Sequence, residues 1–448
     1  MTIDEFGRAW RARTVTSEAA TEQCLANIAA RNAELKAFTL VMVDSARDQA
    51  RQADQERTAG YDRGPLHGVP LSIKDLIDVR GTVTTAASAV RESAVPAVTD
   101  APAIAHLRAC GAVFVGKTNL HEFALGTTCE DSAYGAVRNP LDTTRSAGGS
   151  SGGSAVSIVT GMALGSVGTD TGGSIRIPAA ACGIVGLKPS YGEVDTDGVI
   201  PLSPRLDHVG PLAQSVSDAW MLFRVMAGEQ HPEPCAASSP SEIRLKLLRP
   251  YFCDLLDVEV ARAFDAAVEM LKHAGMRVRH GSIPHAYAIA EVYLKIAPHE
   301  AFRQHRQTLA SMPEKYTDAV RQRLEVGRTI SEEEFVQALE VQAVLRDEVD
   351  AALAGCDALV LPSMPIPAPT LGAATVRIGH MEESIRALTL RNTQLFNLTG
   401  HPAISLPCGK TAERLPVGLQ LVGAHGRTDA LVRVALACET ALAFSGST

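Results

Sequence analysis

The chain has 448 residues, 46% of them hydrophobic, with a formal net charge of −8 and nine cysteines. That length allows one large α/β domain with insertions or about three average domains. The acidic balance without a long basic run excludes a nucleic-acid surface, and no run of about 18 apolar residues offers a membrane span. The cysteines are scattered and form no Cys-x-x-Cys pair. The first 30 residues, with Asp4, Glu5 and Glu18, hold no apolar core of a secretion signal. A reduced, cytoplasmic protein without metal or cofactor is therefore expected.

Residues 17–31 and 44–56 carry amphipathic helical patterns, the first capped by Thr16 or Ser17, with a short apolar strand at Ala37–Val43 between them. Leu66–Lys74 is a second strand, and Ala101–Cys110 followed by Ala112–Lys117 is helix then buried strand. This alternation predicts an α/β sheet covered on both faces. The Gly- and Ser-rich stretch 145–192 is not a linker, because it holds the apolar helix Ala155–Leu164 and the strand-like Gly183–Leu187. Composition shifts at 228–245, with Pro232, Pro234 and Pro240. Helical patterns follow at 255–274 and 331–355. Ala358–Pro362 is a strand, and Pro365, Pro367 and Pro369 mark a rigid extended loop. Residues 382–398 read as helical, and Ala403–Pro407 and Val417–Val422 as closing strands. There is no internal repeat.

Two glycine-rich motifs each present a serine, Gly148-Gly149-Ser150-Ser151-Gly152-Gly153-Ser154 and Gly168-Thr169-Asp170-Thr171-Gly172-Gly173-Ser174. Upstream, the apolar run Val69–Ile73 ends in Lys74. A serine hydroxyl needs a base to act as a nucleophile, and a lysine serves if burial keeps its amine neutral. The plain alternative has Lys74 reaching solvent or pairing with Asp75. Glycines beside Ser174 let N–H groups from Thr171 to Ser174 approach an oxyanion, although such a segment alone is often only a turn. Gly149-x-Ser151-x-Gly153 also fits the nucleophile elbow of an α/β-hydrolase esterase using Ser151. That motif wants a strand before it, and Asn139–Arg145 reads as loop.

Taken in order, these motifs resemble the amidase signature family of carbon–nitrogen hydrolases. The resemblance runs through Gly64-Pro-Leu-His-Gly-Val-Pro, Gly116-Lys-Thr-Asn, Arg138-Asn-Pro and both serine motifs. It continues through Cys182-Gly-Ile-Val-Gly-Leu-Lys-Pro-Ser-Tyr-Gly, Leu206-Asp-His-Val-Gly-Pro-Leu-Ala, Phe396-Asn-Leu-Thr-Gly-His-Pro-Ala and Pro416-Val-Gly-Leu-Gln, and leaves 230–360 outside. It implies one domain over 1–448, a single large mixed sheet with helices on both faces. Residues 230–360 are then a variable helical region that sets specificity. It implies Ser174 as nucleophile, Ser150 on a cis peptide bond as proton relay, and Lys74 as base. Thr171, Gly172 and Gly173 become the oxyanion hole, with Asp170 and Arg176 as support. Ser151 and Ser154 become hydrogen-bonding scaffold and Lys117 a structural rival. Thr127, Thr128 and Cys129 match a segment that borders the active site in the family.

The implied activity is hydrolysis of a neutral amide, anilide or carbamate (urethane). The family also includes the glutaminase component of a tRNA-dependent amidotransferase. In that branch a basic residue follows the Lys-Pro-Thr-Tyr-Gly segment, whereas this chain has Glu193 and Asp195. The expected partner is a small-molecule substrate, with a homodimer left open. His67, His121 and His208 lie in scaffold motifs, and Trp10 and Trp220 in helical patterns. In the variable region Tyr287, Ile289, Val292, Tyr293, Leu294 and Ile296 are apolar candidates for an acyl or aryl pocket. Helical spacing puts Ile289, Val292, Tyr293 and Ile296 on one face, which equally suits the core.

Overall fold

The computed structural model describes residues 1–442. Its strands are β1 (Phe38–Val41), β2 (Pro70–Lys74), β3 (Val113–Thr118), β4 (Arg138–Asn139), β5 (Asp142–Ser146), β6 (Gly165–Asp170), β7 (Val185–Lys188), β8 (His208–Ala213), β9 (Arg244–Leu248), β10 (Arg277–Gly281), β11 (Ala358–Pro362), β12 (Thr375–Ile378), β13 (Met381–Ser384), β14 (Ala403–Lys410) and β15 (Pro416–Val422). Eleven of them form one sheet in the order β1-β3-β2-β6-β8-β7-β14-β15-β11-β9-β10. β2 runs parallel to both β3 and β6, and β9 parallel to β10 and β11. The strands between these two patches pair antiparallel. The fold is the expected large mixed sheet with helices around it.

The sheet's middle strands are buried on both faces. Every residue of β2, β3, β6, β7, β8, β11 and β15 is buried. β2, β3, β11 and β15 are apolar runs that the sequence announces. β6 and β8 are not. β6 reads Gly-Ser-Val-Gly-Thr-Asp, without the apolar content or alternation that marks a strand. Its glycines are needed because a Cβ at Gly165 or Gly168 would press on Leu222, Leu71 or Leu212.

The region 230–360 is less of a helical insertion than expected. It holds the helices Val258–His273, Ile289–Ser311, Asp318–Arg328 and Glu332–Leu353, but also the sheet-edge strands β9 and β10 and most of β11. The expected helix over 382–398 is two short ones, Ile385–Arg391 and Leu395–Leu398, and Ala155–Leu164 becomes Gly152–Val159.

The helix Gly152–Val159 starts two residues after Ser150 and packs on β2, β6 and β8. Its approach depends on Gly153, whose N–H donates to Asn119 O at 3.1 Å and whose missing side chain leaves room for the Asn119 and Ala37 carbonyls. Alanine for glycine inside a helix ordinarily stabilises by about 0.5–1 kcal/mol. Here the sign should reverse, because the new methyl would overlap both carbonyl oxygens. Gly153→Ala is expected to lower stability by about 1–3 kcal/mol in thermal or denaturant unfolding. An unchanged or higher melting temperature would contradict this packing.

Candidate active site

Lys74 ends β2 and is fully buried. Its Nζ donates to Ser150 Oγ and to Thr169 Oγ1, both at 2.7 Å, and it is not paired with Asp75. Asp75 belongs instead to Lys117, whose Nζ lies 2.8 Å from Asp75 Oδ1 and donates to Thr84 Oγ1 at 2.8 Å. Two buried lysines on adjacent strands therefore differ in one respect, the carboxylate. Burial pulls Lys74 down from 10.5 to about 7, against weaker opposing pulls from Cys129, Asp170 and Asp207. Its amine is then substantially neutral near pH 7. Thr169 was not anticipated as a partner, since nothing in the sequence marked β6 as a strand.

Ser150 sits on the turn before the helix Gly152–Val159, and the Gly149–Ser150 peptide bond is cis. The Ser150 carbonyl is held by the His121 N–H at 3.2 Å and by the Cys129 thiol at 3.0 Å. The Gly152 N–H donates to Cys129 Sγ at 3.3 Å. Ser151 is fully buried, and its hydroxyl donates to Thr169 O at 3.1 Å while accepting from the Thr169 N–H at 3.4 Å. Both functions of that hydroxyl are taken by backbone, which removes Ser151 as an elbow nucleophile. Ser154 bonds Thr118 Oγ1 at 2.9 Å and is scaffold.

The turn 170–176 presents Ser174. Asp170 and Arg176 are both fully buried and doubly bonded, Nε to Oδ2 at 3.0 Å and Nη2 to Oδ1 at 2.9 Å. Burial opposes ionisation of Asp170, but Arg176 outweighs it and holds the carboxyl well below the usual range. The carboxylate also accepts the Gly173 N–H at 2.8 Å, the Ile175 N–H at 3.1 Å and Asn397 Nδ2 at 2.8 Å. Arg176 reaches Asn397 Oδ1 at 2.6 Å, Gln420 Oε1 at 2.7 Å and Thr393 O at 2.9 Å. Gly173 has φ +140°, and a Cβ there would strike Thr393.

This arrangement changes the expected donor set. The Gly173 N–H is spent on Asp170, because a buried carboxylate must be satisfied from the turn that encloses it. The N–H groups of Thr171, Gly172 and Ser174 have no protein acceptor among the described residues. The turn's flanks are tied by Thr171 Oγ1 to Asp207 Oδ1 at 2.6 Å and by Thr393 Oγ1 to Gly172 O at 2.6 Å. Asp207 also accepts the Leu202 and Ser203 N–H groups, and burial raises it to about 6.

A narrow cleft opens beside Ser174, lined also by Leu125, Thr127, Gly172, Tyr293 and Arg386. Of the three expected border residues only Thr127 faces it; its hydroxyl accepts from Thr389 Oγ1 at 2.9 Å. Thr128 bonds Ser146 through its carbonyl, outside the cleft lining. Cys129 is fully buried beneath Ser150 and serves as a prop rather than a wall. Tyr293 stands over the turn, close enough that its ring would meet a Cβ at Gly172. Ile289, Val292 and Ile296, on the same face, are core, while Tyr287 and Leu294 are exposed. One helix face thus does both jobs, with Tyr293 at the cleft. Glu193, the ground for expecting a neutral substrate, lies elsewhere. It accepts the Ser190 N–H at 3.0 Å and bonds the Thr428 hydroxyl, so it carries no information about charge at the cleft.

The expected scaffold histidines are buried and mostly bonded in place. His67 packs against Trp10 with the rings tilted at 57°, His121 meets Asp131 at 3.0 Å, and His208 Nδ1 bonds Leu206 O at 2.7 Å. Among the described residues no cluster of His, Cys, Asp and Glu side chains suits a metal ion, and no helix is long and apolar enough to cross a membrane.

Comparison with known proteins agrees with this geometry. A family model described as Amidase matches residues 19–432, spanning 230–360 as well. The chain belongs to the amidase signature family. The A-subunit of glutamyl-tRNA(Gln) amidotransferase from Koribacter versatilis (strain Ellin345) is 37% identical, covering 99% of this chain and 98% of that protein. The crystal structure of an amidase superposes with TM-score 0.92 at 38% identity, covering 98% of this chain and 99% of that one. Peptide amidase from Stenotrophomonas maltophilia gives TM-score 0.83 at 28% identity, covering 98% and 96%. Amidase signature proteins cleave carbon–nitrogen bonds, and the hydroxyl–amine contact at Lys74 is a fitting apparatus for that reaction.

The buried pair yields a stability prediction. Asp170→Asn leaves the Arg176 charge buried without its counterion. The variant should lose about 3–5 kcal/mol in denaturant unfolding. A loss below about 1 kcal/mol would mean that the pair does not hold this turn.

Proposed function

We propose that the protein hydrolyses the carbon–nitrogen bond of a small amide, anilide or carbamate through an acyl-enzyme on Ser174. The observation that carries this reading is Lys74 Nζ at 2.7 Å from Ser150 Oγ, a desolvated amine against a hydroxyl next to the cleft that exposes Ser174. In this mechanism Ser174 Oγ attacks the carbonyl carbon, its proton passes to Ser150, and the Ser150 proton passes to neutral Lys74. The free N–H groups of Thr171, Gly172 and Ser174 stabilise the oxyanion. Collapse breaks the C–N bond, and the proton returns from Lys74 through Ser150 to the leaving nitrogen. Water then attacks the acyl-enzyme with the same relay. No hydrogen bond joins the Ser174 and Ser150 hydroxyls in this structure. The relay closes when substrate arrives, as catalytic hydrogen bonds commonly tighten in the complex.

The glutaminase component of an amidotransferase is the second reading, supported by the name of the curated relatives. It would require an acidic group for the α-ammonium of glutamine. The Ser174 cleft has no acidic side chain in its lining. Esterase and urethanase activity use the same acyl-enzyme and follow from the first reading.

A panel of anilides, primary amides, esters, aryl carbamates and glutamine separates these readings. Under the favoured one a serine-directed sulfonyl fluoride adds its mass to the peptide holding Ser174 and abolishes turnover. Loss of activity with the label on a different serine would overturn it. Glutaminase activity that appears only with co-purifying partner proteins would favour the second.

The base has its own signature. Lys74 is neutral above its lowered value, so activity should rise through pH about 7 and level off on the alkaline side. Lys74→Met should lower kcat by roughly 10²- to 10⁴-fold. A profile flat from pH 6 to 9, or near-normal turnover in that variant, would remove Lys74 from the mechanism.

A further inference from the structure

We propose that Arg386 selects substrates bearing a carboxylate, so that the protein acts on amides of the dicarboxylic-acid type rather than on simple neutral amides. This rests on the hydrolase reading above and names its substrate class. Arg386 belongs to the helix Ile385–Arg391 and lines the Ser174 cleft together with Thr171, Gly172 and Tyr293. It is half-buried, yet its guanidinium has no hydrogen bond or ion pair among the described residues.

The neighbouring cations are all engaged. Arg176 is bound to Asp170, and Arg323 donates to His121, to Leu125 O and to Asp131. Of the nearby carboxylates, Asp131 is engaged by His121 and Arg323 and Asp207 by Thr171 and the Leu202 and Ser203 N–H groups, while Glu383, which shares a cavity lining with Arg386, forms no ion pair with it. Burial, with Arg323 nearby, draws Arg386 down to about 10, which leaves it charged at neutral pH. The guanidinium is partly open to solvent through the cleft and carries no counterion, and a planar carboxylate meets such a group with two parallel hydrogen bonds.

The shape of the free space points the same way. Next to Ser174 it amounts to about 10 Å³, room for about one water. Arg386 and Leu390 also line a second, mostly apolar cavity of about 280 Å³ with Tyr251, Leu255 and Leu294. The charged residues there are Glu383 on its rim and Arg391, whose guanidinium is held by Tyr251 O at 2.8 Å. Arg386 and Leu390 are common to the two cavities, so a chain extending from the Ser174 cleft toward the second one would run beside the guanidinium. A neutral chain of the same length would forgo that charge-assisted pair, which favours the carboxylate-bearing substrate.

The test compares glutaramate, the monoamide of a five-carbon diacid, with valeramide, the uncharged amide of the same carbon-chain length. In wild type kcat/KM should favour glutaramate by on the order of 10- to 100-fold. The preference should reside in KM. Arg386→Met should collapse the ratio toward one, and Arg386→Lys should keep part of it. An unchanged ratio in Arg386→Met, or a wild type that prefers valeramide, overturns the proposal. If neither amide turns over, the hydrolase reading is what fails, and binding decides the role of Arg386. Glutarate that raises the melting temperature of wild type but not of Arg386→Met supports it, and an equal effect on both refutes it.

Discussion

Asp170 and Arg176 flank the turn that carries Ser174, and the geometry of the site depends on their being paired out of water. Neither charge could stay buried alone; breaking such a pair typically costs about 3–5 kcal/mol. Asp170 spends its oxygens on Arg176, on two N–H groups of its own turn and on Asn397. Arg176 in turn ties Asn397, Gln420 and the Thr393 carbonyl to that turn. The turn that carries Ser174 is thus clamped from inside by residues that lie far along the chain. A buried pair is a poor source of stability compared with apolar packing. Its value here is directional, since it leaves the Thr171, Gly172 and Ser174 N–H groups pointing away from protein acceptors.

The same logic of partnered and unpartnered charge separates the two lysines of the adjacent strands β2 and β3. Lys117 has a carboxylate at 2.8 Å and is a structural cation. Lys74 has only hydroxyls within hydrogen-bond reach, and the more distant pulls of Cys129, Asp170 and Asp207 do not make up the cost of burying its charge, so the amine gives up its proton near neutrality. Both lysines end apolar runs in the sequence, and no local feature separates them. The position of Asp75, one residue after Lys74 in the chain but turned toward Lys117, makes the difference.

This explains how much could be read in advance. The nucleophile candidates, the lysine and the enclosing glycines stand in short motifs whose residue types are dictated by backbone shape and chemistry, so they are visible locally. The apolar strands β2, β3, β11 and β15 are visible by their run of side chains. β6 escapes because it is built mainly of Gly, Ser, Thr and Asp, and β8 because Gly210 and Pro211 interrupt its apolar residues; their strand form is set by pairing with each other and with β2 and β7. β9 and β10 escape because a parallel edge pair inside a helix-rich region has only the sheet to declare it. Cys129 lies in a segment that does border the cleft, but one residue's difference in orientation sends its thiol under Ser150. Glu193 misled for a related reason: its charge is visible in the sequence, its bonding to Ser190 and Thr428 is not.

The segment 385–397 shows how specificity and catalysis are tied together. Thr393 and Asn397 grip the nucleophile turn, at the Gly172 carbonyl and at Asp170. A few residues earlier, Arg386 and Leu390 face the cleft. Thr389, between them, bonds Thr127 across the cleft mouth. The gripping residues are bound to the turn and the cleft-facing ones are not, so a shift of the second short helix would loosen the carboxylate that bonds the Ser174 turn. The side chains that line the cleft therefore stand one turn away from those that clamp the turn, and replacing one need not move the backbone that carries Ser174.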